Sequence, residues 1–162
     1  MNFKQYLEEG RDSPLFHGTP IYAAEKIIKE NKLDANFTGY NKNFISFSRI
    51  KSHSFYVARE IHDTRLIVIF ELDQRKLAQR HKIVPFNFSN KRPGIGDRTP
   101  MFTKIGRMSS TGTNEFEETI KAPINDLKKY IKRIYIRRHI FDEYSDDKTY
   151  KLLMNHPKLY IE

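Results

Sequence analysis

The stretch Leu15-Phe16-His17-Gly18-Thr19-Pro20 decides how this chain folds, because it joins a short apolar segment to the start of a helix. It predicts a strand over residues 14–17, a turn at the glycine, and a helix over about residues 20–31. Thr19 is expected to be the N-cap, because its hydroxyl can accept hydrogen bonds from the first turn. The proline after it suits the first helical position, where a backbone N–H has no partner. His17 would then lie at a strand-to-helix junction, facing a cleft or bonded within the fold.

Composition predicts one compact, very polar domain. The 162 residues suit a single domain, with a motif-bearing region over about residues 14–137 and a C-terminal extension over about 140–162. The absence of cysteine excludes disulfides, a thiolate nucleophile and a cysteine-based zinc site. No histidine pair has the spacing of a metal site, so no metal is expected. Without a signal peptide or a long apolar run, we expect a cytoplasmic protein that does not enter a membrane.

The charge balance is strongly basic. Twenty-nine Lys and Arg residues against 20 Asp and Glu residues give a formal net charge of +9. Such a charge favours nucleic acid, a nucleotide or an acidic protein as partner, or is simply a solvated surface. A late basic group consists of Lys128, Lys129, Lys132, Arg133, Arg137 and Arg138. Its spacing is typical of the solvent face of a helix, and the aromatic residues do not cluster with these cations in one predicted strand pair.

The remaining elements are short and irregularly spaced. Strands are predicted over residues 44–48, 65–72, 82–86 and 134–136, and helices over about 52–60, 74–79 and 123–130. The strand over residues 82–86 contains Pro85, which favours an edge position. Asp73 is a good N-cap for the helix over residues 74–79. After residue 142 the tail is predicted to be polar and then helical. Short strands with few helices indicate an α+β fold, with split mixed or antiparallel sheets and flanking helices.

A second motif, Ser46-Phe47-Ser48-Arg49, follows a strand-like alternation. Its two serines are two residues apart, so both hydroxyls leave the same face of a strand. A guanidinium follows at the strand's end. The segment is either one wall of a polar site or an ordinary half-polar strand.

A third motif is Glu115-Phe116-Glu117-Glu118. In a strand, Glu115 and Glu117 would share one face, whereas Phe116, Glu118 and Ile120 would share the other. Like charges on one face repel, so such a pair is useful when a cation or cationic transition state lies between them. We favour Glu117 as the functional carboxylate because it has a partner two residues earlier. The alternatives are Glu118 in the opposite register and a solvated loop end.

Taken in order, the three motifs resemble those of the ADP-ribosyltransferase fold family, in particular small phage-encoded or toxin-like members. His17-Gly18-Thr19 resembles the first motif, at the end of the first strand. Ser46-Phe47-Ser48 resembles the second, a Ser-Thr-Ser strand, although Phe47 replaces the central hydroxyl. Glu115-Phe116-Glu117 resembles the Glu-x-Glu motif at the start of a late strand, with residues 104–114 as the substrate-recognition loop before it.

The resemblance implies a reaction in which NAD is the substrate and nicotinamide leaves. Glu117 would stabilise the positive charge on the ribose, and Glu115 would orient or deprotonate the acceptor, with Glu118 as the alternative catalytic acid. His17 and Ser46 would fix the ribose and the carboxamide, and Arg49 would pair with the diphosphate. The other NAD-contacting residues that the resemblance implies are Gly18, Thr19, Phe47, Ser48, Tyr40 and Tyr56. The two tyrosines are alternatives for stacking on nicotinamide.

The implied function is mono-ADP-ribosylation of a macromolecular acceptor in the host cytoplasm by a phage or toxin effector. The acceptor would be a protein side chain such as Arg, for example in the transcription or translation machinery, or a nucleic acid. One alternative is a catalytically inactive member of the fold, kept as a binding or virion protein. Another is a basic nucleic-acid-binding module. An RNA 2′-phosphotransferase is disfavoured because the third motif is acidic.

Overall fold

The computed structural model describes residues 14–35, 43–86, 117–143 and 148–162. The strands are β1 (Leu15–Pro20), β2 (Lys32–Leu33), β3 (Phe44–Ser48), β4 (Ile67–Leu72), β5 (Ile83–Phe86), β6 (Glu117–Lys121), β7 (Ile124–Asn125), β8 (Ile131–Ile136) and β9 (Leu159–Ile161). The helices are α1 (Ile21–Glu30), α2 (Lys51–His62), α3 (Gln74–Ala78), α4 (Arg138–Glu143) and α5 (Lys148–Met154), and a 3-10 turn spans Leu127–Lys129.

Seven strands form one mixed sheet in the order β5-β6-β3-β1-β4-β8-β9, and β2 pairs with β7 in a small second sheet. Within the large sheet, β8 and β9 are parallel and the other neighbours are antiparallel. The predicted α+β class is therefore confirmed, with a mixed and an antiparallel sheet. The closer resemblance to the ADP-ribosyltransferase fold stays a prediction.

The centre of the sheet is the pair β1–β4. Every residue of β4 is buried, as its run of β-branched and aromatic side chains predicts for a central strand. β1 pairs with β4 along its whole length, from Leu15 opposite Leu72 to Pro20 opposite Ile67. The strand predicted to stop at His17 thus continues to Pro20. The prediction of Thr19 as N-cap is wrong, because Thr19 is a buried strand residue and α1 begins after Pro20 without a side-chain cap.

Gly18 is needed for packing rather than for a turn. A Cβ at this position would lie 2.5 Å from the Ser54 carbonyl oxygen and 2.8 Å from the Ala58 Cβ, both on α2. Such distances are well inside van der Waals contact, so only glycine lets α2 lie this close to β1. The glycine turn expected from the sequence is therefore wrong, and β1 runs through Gly18 as regular strand.

The two faces of the sheet are covered by different helices. α1 packs Ile21, Ala24 and Ile28 into the larger apolar core, which also receives Leu153 of α5. α2 covers the opposite face, where its Phe55 and Ala58 join Phe16, Ile67, Ile69 and Tyr135 in a smaller core. No helix within the described part of the chain is long and apolar enough to cross a membrane.

Several local predictions are confirmed, one is wrong and one is incomplete. The Asp73 carboxylate caps α3 by accepting from the Lys76 amide at 3.1 Å, and the strand with Pro85 is an edge strand, β5. The helix predicted over residues 123–130 is absent, because β7 and the 3-10 turn occupy that segment and Asp126 between them has a left-handed φ of 55°. The tail is helical in α5, but it ends in β9, which was not predicted.

Candidate functional site

The border between β1 and β3 carries the first functional candidate, His17. The backbones of β1 and β3 pair at one point, where Phe16 is opposite Ser48. One residue further along β1, the His17 Nδ1 lies 3.0 Å from the Ser46 carbonyl oxygen. A carbonyl only accepts, so Nδ1 carries the proton and the neutral ring presents Nε2 as an acceptor. A side chain thus joins the two strands beside their single backbone register point.

The surroundings of His17 keep it neutral. Burial lowers the pKa of the imidazole, the bond to the Ser46 carbonyl opposes that shift, and the nearby His62 lowers the pKa further. The ring packs against the Phe47 ring, with centroids 5.6 Å apart. Phe47 is itself fully buried in the larger core. It therefore supports the imidazole, and the NAD contact that the resemblance implies for Phe47 stays a prediction.

Glu118 lies on the same face of the sheet as Phe47. Residues opposite each other in antiparallel strands point to the same side, and Phe47 of β3 is opposite Glu118 of β6. Because the His17 ring contacts Phe47, the three adjacent strands β1, β3 and β6 present a histidine, an aromatic ring and a carboxylate on one face. The chain thus brings together parts of all three sequence motifs.

Arg49 holds the Glu118 carboxylate in place. Its Nε and Nη2 donate to Glu118 Oε1 at 2.9 and 2.6 Å, and its Nη1 donates to the Gln74 side-chain oxygen at 2.9 Å. The Arg49 side chain is 19% exposed and that of Glu118 is 9% exposed. Arg49 was expected to pair with a diphosphate, but in this structure its guanidinium engages Glu118 and the buried Gln74.

Opposing forces act on the ionisation of Glu118. Burial raises the pKa of its carboxyl, and the charge and hydrogen bonds of Arg49 work against that rise. The net direction is upward, so desolvation is the stronger effect. A buried carboxylate with a raised pKa and one cationic partner is typical of functional sites, although structural ion pairs produce the same pattern.

The other residues of the three motifs have varied positions. Ser48 is buried, and its Oγ accepts from the Ile50 amide at 3.0 Å, which stabilises the turn into α2. The Ser46 side chain is half-buried. Glu117 begins β6 and pairs with Ser48 of β3 in the strand register.

Tyr56, one of the two tyrosines proposed to stack on nicotinamide, is not on this face. Tyr56 lies on α2 and is 59% exposed, and α2 covers the opposite side of the sheet from His17. Tyr40, Glu115 and the loop over residues 104–114 lie outside the described residues. Within the described ranges, no three His, Asp or Glu side chains converge as metal ligands.

A second polar cluster, which sequence reasoning missed, lies across β4 and β8 on the α2 face. The Tyr135 hydroxyl donates to the buried Glu71 carboxylate, and Arg133 is opposite Glu71 in the strand register. Burial and the bond to Glu71 raise the pKa of Tyr135, and the contact with Tyr135 raises the pKa of Arg133. The Lys51 ammonium lies 4.2 Å above the Tyr135 ring and pairs with Glu162. Glu71, a charged residue inside the apolar run of β4, was the one feature of the sequence that could have indicated this cluster.

Comparison of the chain with protein-family profiles, curated proteins and solved structures finds no match. A functional assignment therefore depends on the geometry and on the sequence motifs. On the His17 face, that geometry offers a neutral imidazole acceptor and a buried carboxylate held by a guanidinium. Such a pair can bind a hydroxyl-bearing ligand and stabilise positive charge that develops beside it.

Proposed function

We propose that this chain is an NAD-dependent mono-ADP-ribosyltransferase that transfers ADP-ribose to a macromolecular acceptor in the cytoplasm. The observation that supports this best is the common face of His17, Phe47 and Glu118 on adjacent strands. These residues come from the first, second and third motifs, which lie far apart in the sequence. The order of the motifs gave the resemblance, and the common face of the sheet supports it.

Glu118 is the carboxylate that we assign to the reaction. The sequence favoured Glu117, but the strand register puts Glu118 on the face of Phe47 and His17. As the bond between the ribose C1 and the nicotinamide nitrogen breaks, its electron pair leaves with nicotinamide and positive charge develops on the ribose. A carboxylate in a low-dielectric site stabilises that charge more strongly than it would in water. The acceptor then bonds to C1 and loses a proton.

His17 is assigned to binding. Because its Nδ1 proton is used by the Ser46 carbonyl, its Nε2 can accept a hydrogen bond from a ribose hydroxyl. A neutral imidazole also avoids repelling the positive charge that develops on the ribose and the pyridinium of the substrate. The lowered pKa of His17 is therefore consistent with this role.

Arg49 is assigned to positioning rather than to the diphosphate. Its two donors to Glu118 fix the carboxylate and keep its pKa from rising further. We keep Glu115 as the acceptor-orienting acid of the proposal, on the resemblance alone. A catalytically inactive binding protein with the same fold is the competing reading, and it requires that NAD is neither bound nor cleaved.

The proposal is tested by incubating the purified protein with cell lysate and labelled NAD, then measuring label on macromolecules and free nicotinamide. Glu118→Gln keeps the shape and the Arg49 contact, and we expect it to lower transfer by at least about 100-fold. The matched variants are Glu117→Gln, adjacent on the strand, and Glu71→Gln, a buried carboxylate on the other face. Both should retain transfer within a few fold. The proposal fails if wild type transfers no label, or if Glu118→Gln is as active as Glu71→Gln.

A further inference from the structure

An exposed aromatic residue stands at the edge of the sheet, away from the His17 face. Tyr160 of β9 is 53% exposed and lies opposite Tyr135 of β8. The two rings meet at 71° with centroids 5.7 Å apart. Tyr135 is buried and fixed by its bond to Glu71, so it supports Tyr160 from below. A half-exposed phenol ring on an edge strand contributes less to the core than to the surface.

One guanidinium lies beside this ring, and a second lies on a neighbouring aromatic ring. The Arg133 guanidinium carbon lies 6.0 Å from the Tyr160 centroid, and that of Arg137 lies 3.5 Å from the Phe55 centroid. Arg133, Tyr135 and Arg137 alternate along β8 and its end, so their side chains leave one face about 6.6 Å apart. Both arginines are exposed. We call Tyr160, Tyr135, Arg133 and Arg137 the β8–β9 patch.

Within the described residues, the negative groups near the β8–β9 patch are Glu71 and Glu162, and both are already engaged. Glu71 is buried and accepts from Tyr135, and Glu162 pairs with Lys51. Lys51 in turn lies over the Tyr135 ring. The charge that the patch presents outward is therefore that of the two arginines, on a chain whose net charge is +9. This also corrects the sequence-based view that aromatic and basic residues do not share a strand pair.

We propose that the β8–β9 patch binds single-stranded nucleic acid. Arg133 and Arg137 contact the phosphates, and one base stacks on Tyr160. Two exposed arginines on β8 and its end, together with the half-exposed ring of Tyr160 on the neighbouring strand, fit this ligand, because a base in a single strand has an open face to stack. A duplex would offer phosphates to the arginines but no open base to Tyr160. An acidic peptide would pair with the arginines and would make no use of Tyr160. The inference is independent of the proposed transferase activity, because it concerns binding in the absence of NAD.

The test measures fluorescence anisotropy of a labelled oligothymidine of about 16 nucleotides with the full chain. Tyr160→Ala is expected to weaken binding roughly 5- to 100-fold, and Tyr160→Phe to leave it within about twofold, since stacking needs the ring and not the hydroxyl. The matched control is Tyr22→Ala, which removes a tyrosine that is 66% exposed on α1 and should change nothing. Thermal melts of each variant verify that it is folded.

A second measurement isolates the phosphate contacts. Arg133→Gln should weaken binding and reduce the slope of log affinity against log salt by about 0.7, whereas Arg59→Gln on α2 should leave the slope unchanged. The proposal is overturned if Tyr160→Ala binds like Tyr22→Ala. It is equally overturned if a duplex of the same length binds more tightly than the single strand, or if Arg133→Gln and Arg59→Gln have the same slope.

Discussion

The two halves of the large sheet are joined to β1 in different ways. On one side, β4 pairs with all six residues of β1, and β8 and β9 continue that half. On the other side, β3 meets β1 at the single pair Phe16–Ser48, and the His17 side chain bonds to the Ser46 carbonyl next to it. Where backbone pairing is sparse, side chains connect the strands, and those side chains are the functional candidates.

Among the described side chains, each half also contains one buried carboxylate, and the two have different partners. Glu71 of β4 accepts from the Tyr135 hydroxyl, whereas Glu118 of β6 is paired with the Arg49 guanidinium. Removing a charged partner leaves an uncompensated charge in a poorly solvated place, which is more destabilising than removing a neutral donor. The β6 half should therefore be the more sensitive one to loss of a single side chain.

The largest expected effect is on Arg49. Arg49→Met should lower the free energy of unfolding by about 3 kcal/mol, because Glu118 loses its cation while 9% exposed. Tyr135→Phe, the matched change in the other half, should cost about 1.5 kcal/mol because it removes a neutral donor to Glu71 and a contact with the exposed Arg133. Urea denaturation of both variants measures the difference. Equal losses would contradict the contrast between the halves.

The Arg49→Met effect should depend on pH in a defined direction. Without Arg49, the pKa of Glu118 rises further, because the cation that counteracts the effect of burial on this pKa is gone. At pH below the ordinary value of 4.5, Glu118 is protonated both in the folded and in the unfolded state, so the electrostatic part of the loss disappears. The loss should thus be largest near neutral pH and shrink on acidification. A loss that is constant with pH would indicate packing alone.

β1, the strand that both halves share, is expected to be nearly as sensitive to substitution as the Arg49 site. Gly18→Ala should lower the free energy of unfolding by about 2 kcal/mol, because the new methyl group would meet the Ser54 carbonyl and the Ala58 Cβ. Ala58→Gly in the same chain removes only one of these clashes, so the double variant should recover only part of the loss. Full recovery would mean that the backbone of α2 shifts freely. Thermal or urea unfolding of the three variants distinguishes these outcomes.

How well the sequence predicts a feature depends on whether neighbours in sequence or strand pairing determine that feature. Local patterns identify β4, the Asp73 cap and the edge position of Pro85, because each depends on neighbours in sequence. The extension of β1 to Pro20 could not be predicted, since it depends on pairing with a strand some fifty residues later. Thr19 and Pro20 form a good helix start, and tertiary pairing overrides that local preference.

The sites show the same division. The sequence motifs name His17, Glu118 and Arg49, but only the strand register indicates which glutamate shares a face with Phe47. Tyr135 and Tyr160 lie 25 residues apart and become neighbours through a parallel strand pair that no local pattern reveals. The cations expected on a helix face belong in part to β8, so the aromatic and basic cluster was invisible from the sequence.

The smallest expected effect is the pH dependence of stability that His17 contributes at the border between β1 and β3. Its pKa is lowered in the folded protein, so below the ordinary value of 6.5 the unfolded chain binds more protons and stability falls as pH decreases. His17 can contribute at most about 1.4 kcal/mol per pH unit to this decline.

His17→Gln keeps an N–H for the Ser46 carbonyl and cannot be protonated, so it should flatten the decline. His62→Gln is the matched control, and it should flatten the decline less because His62 is less deeply buried. If both variants give the wild-type slope in urea titrations between about pH 5 and 7, His17 is not the group that links the two halves to pH.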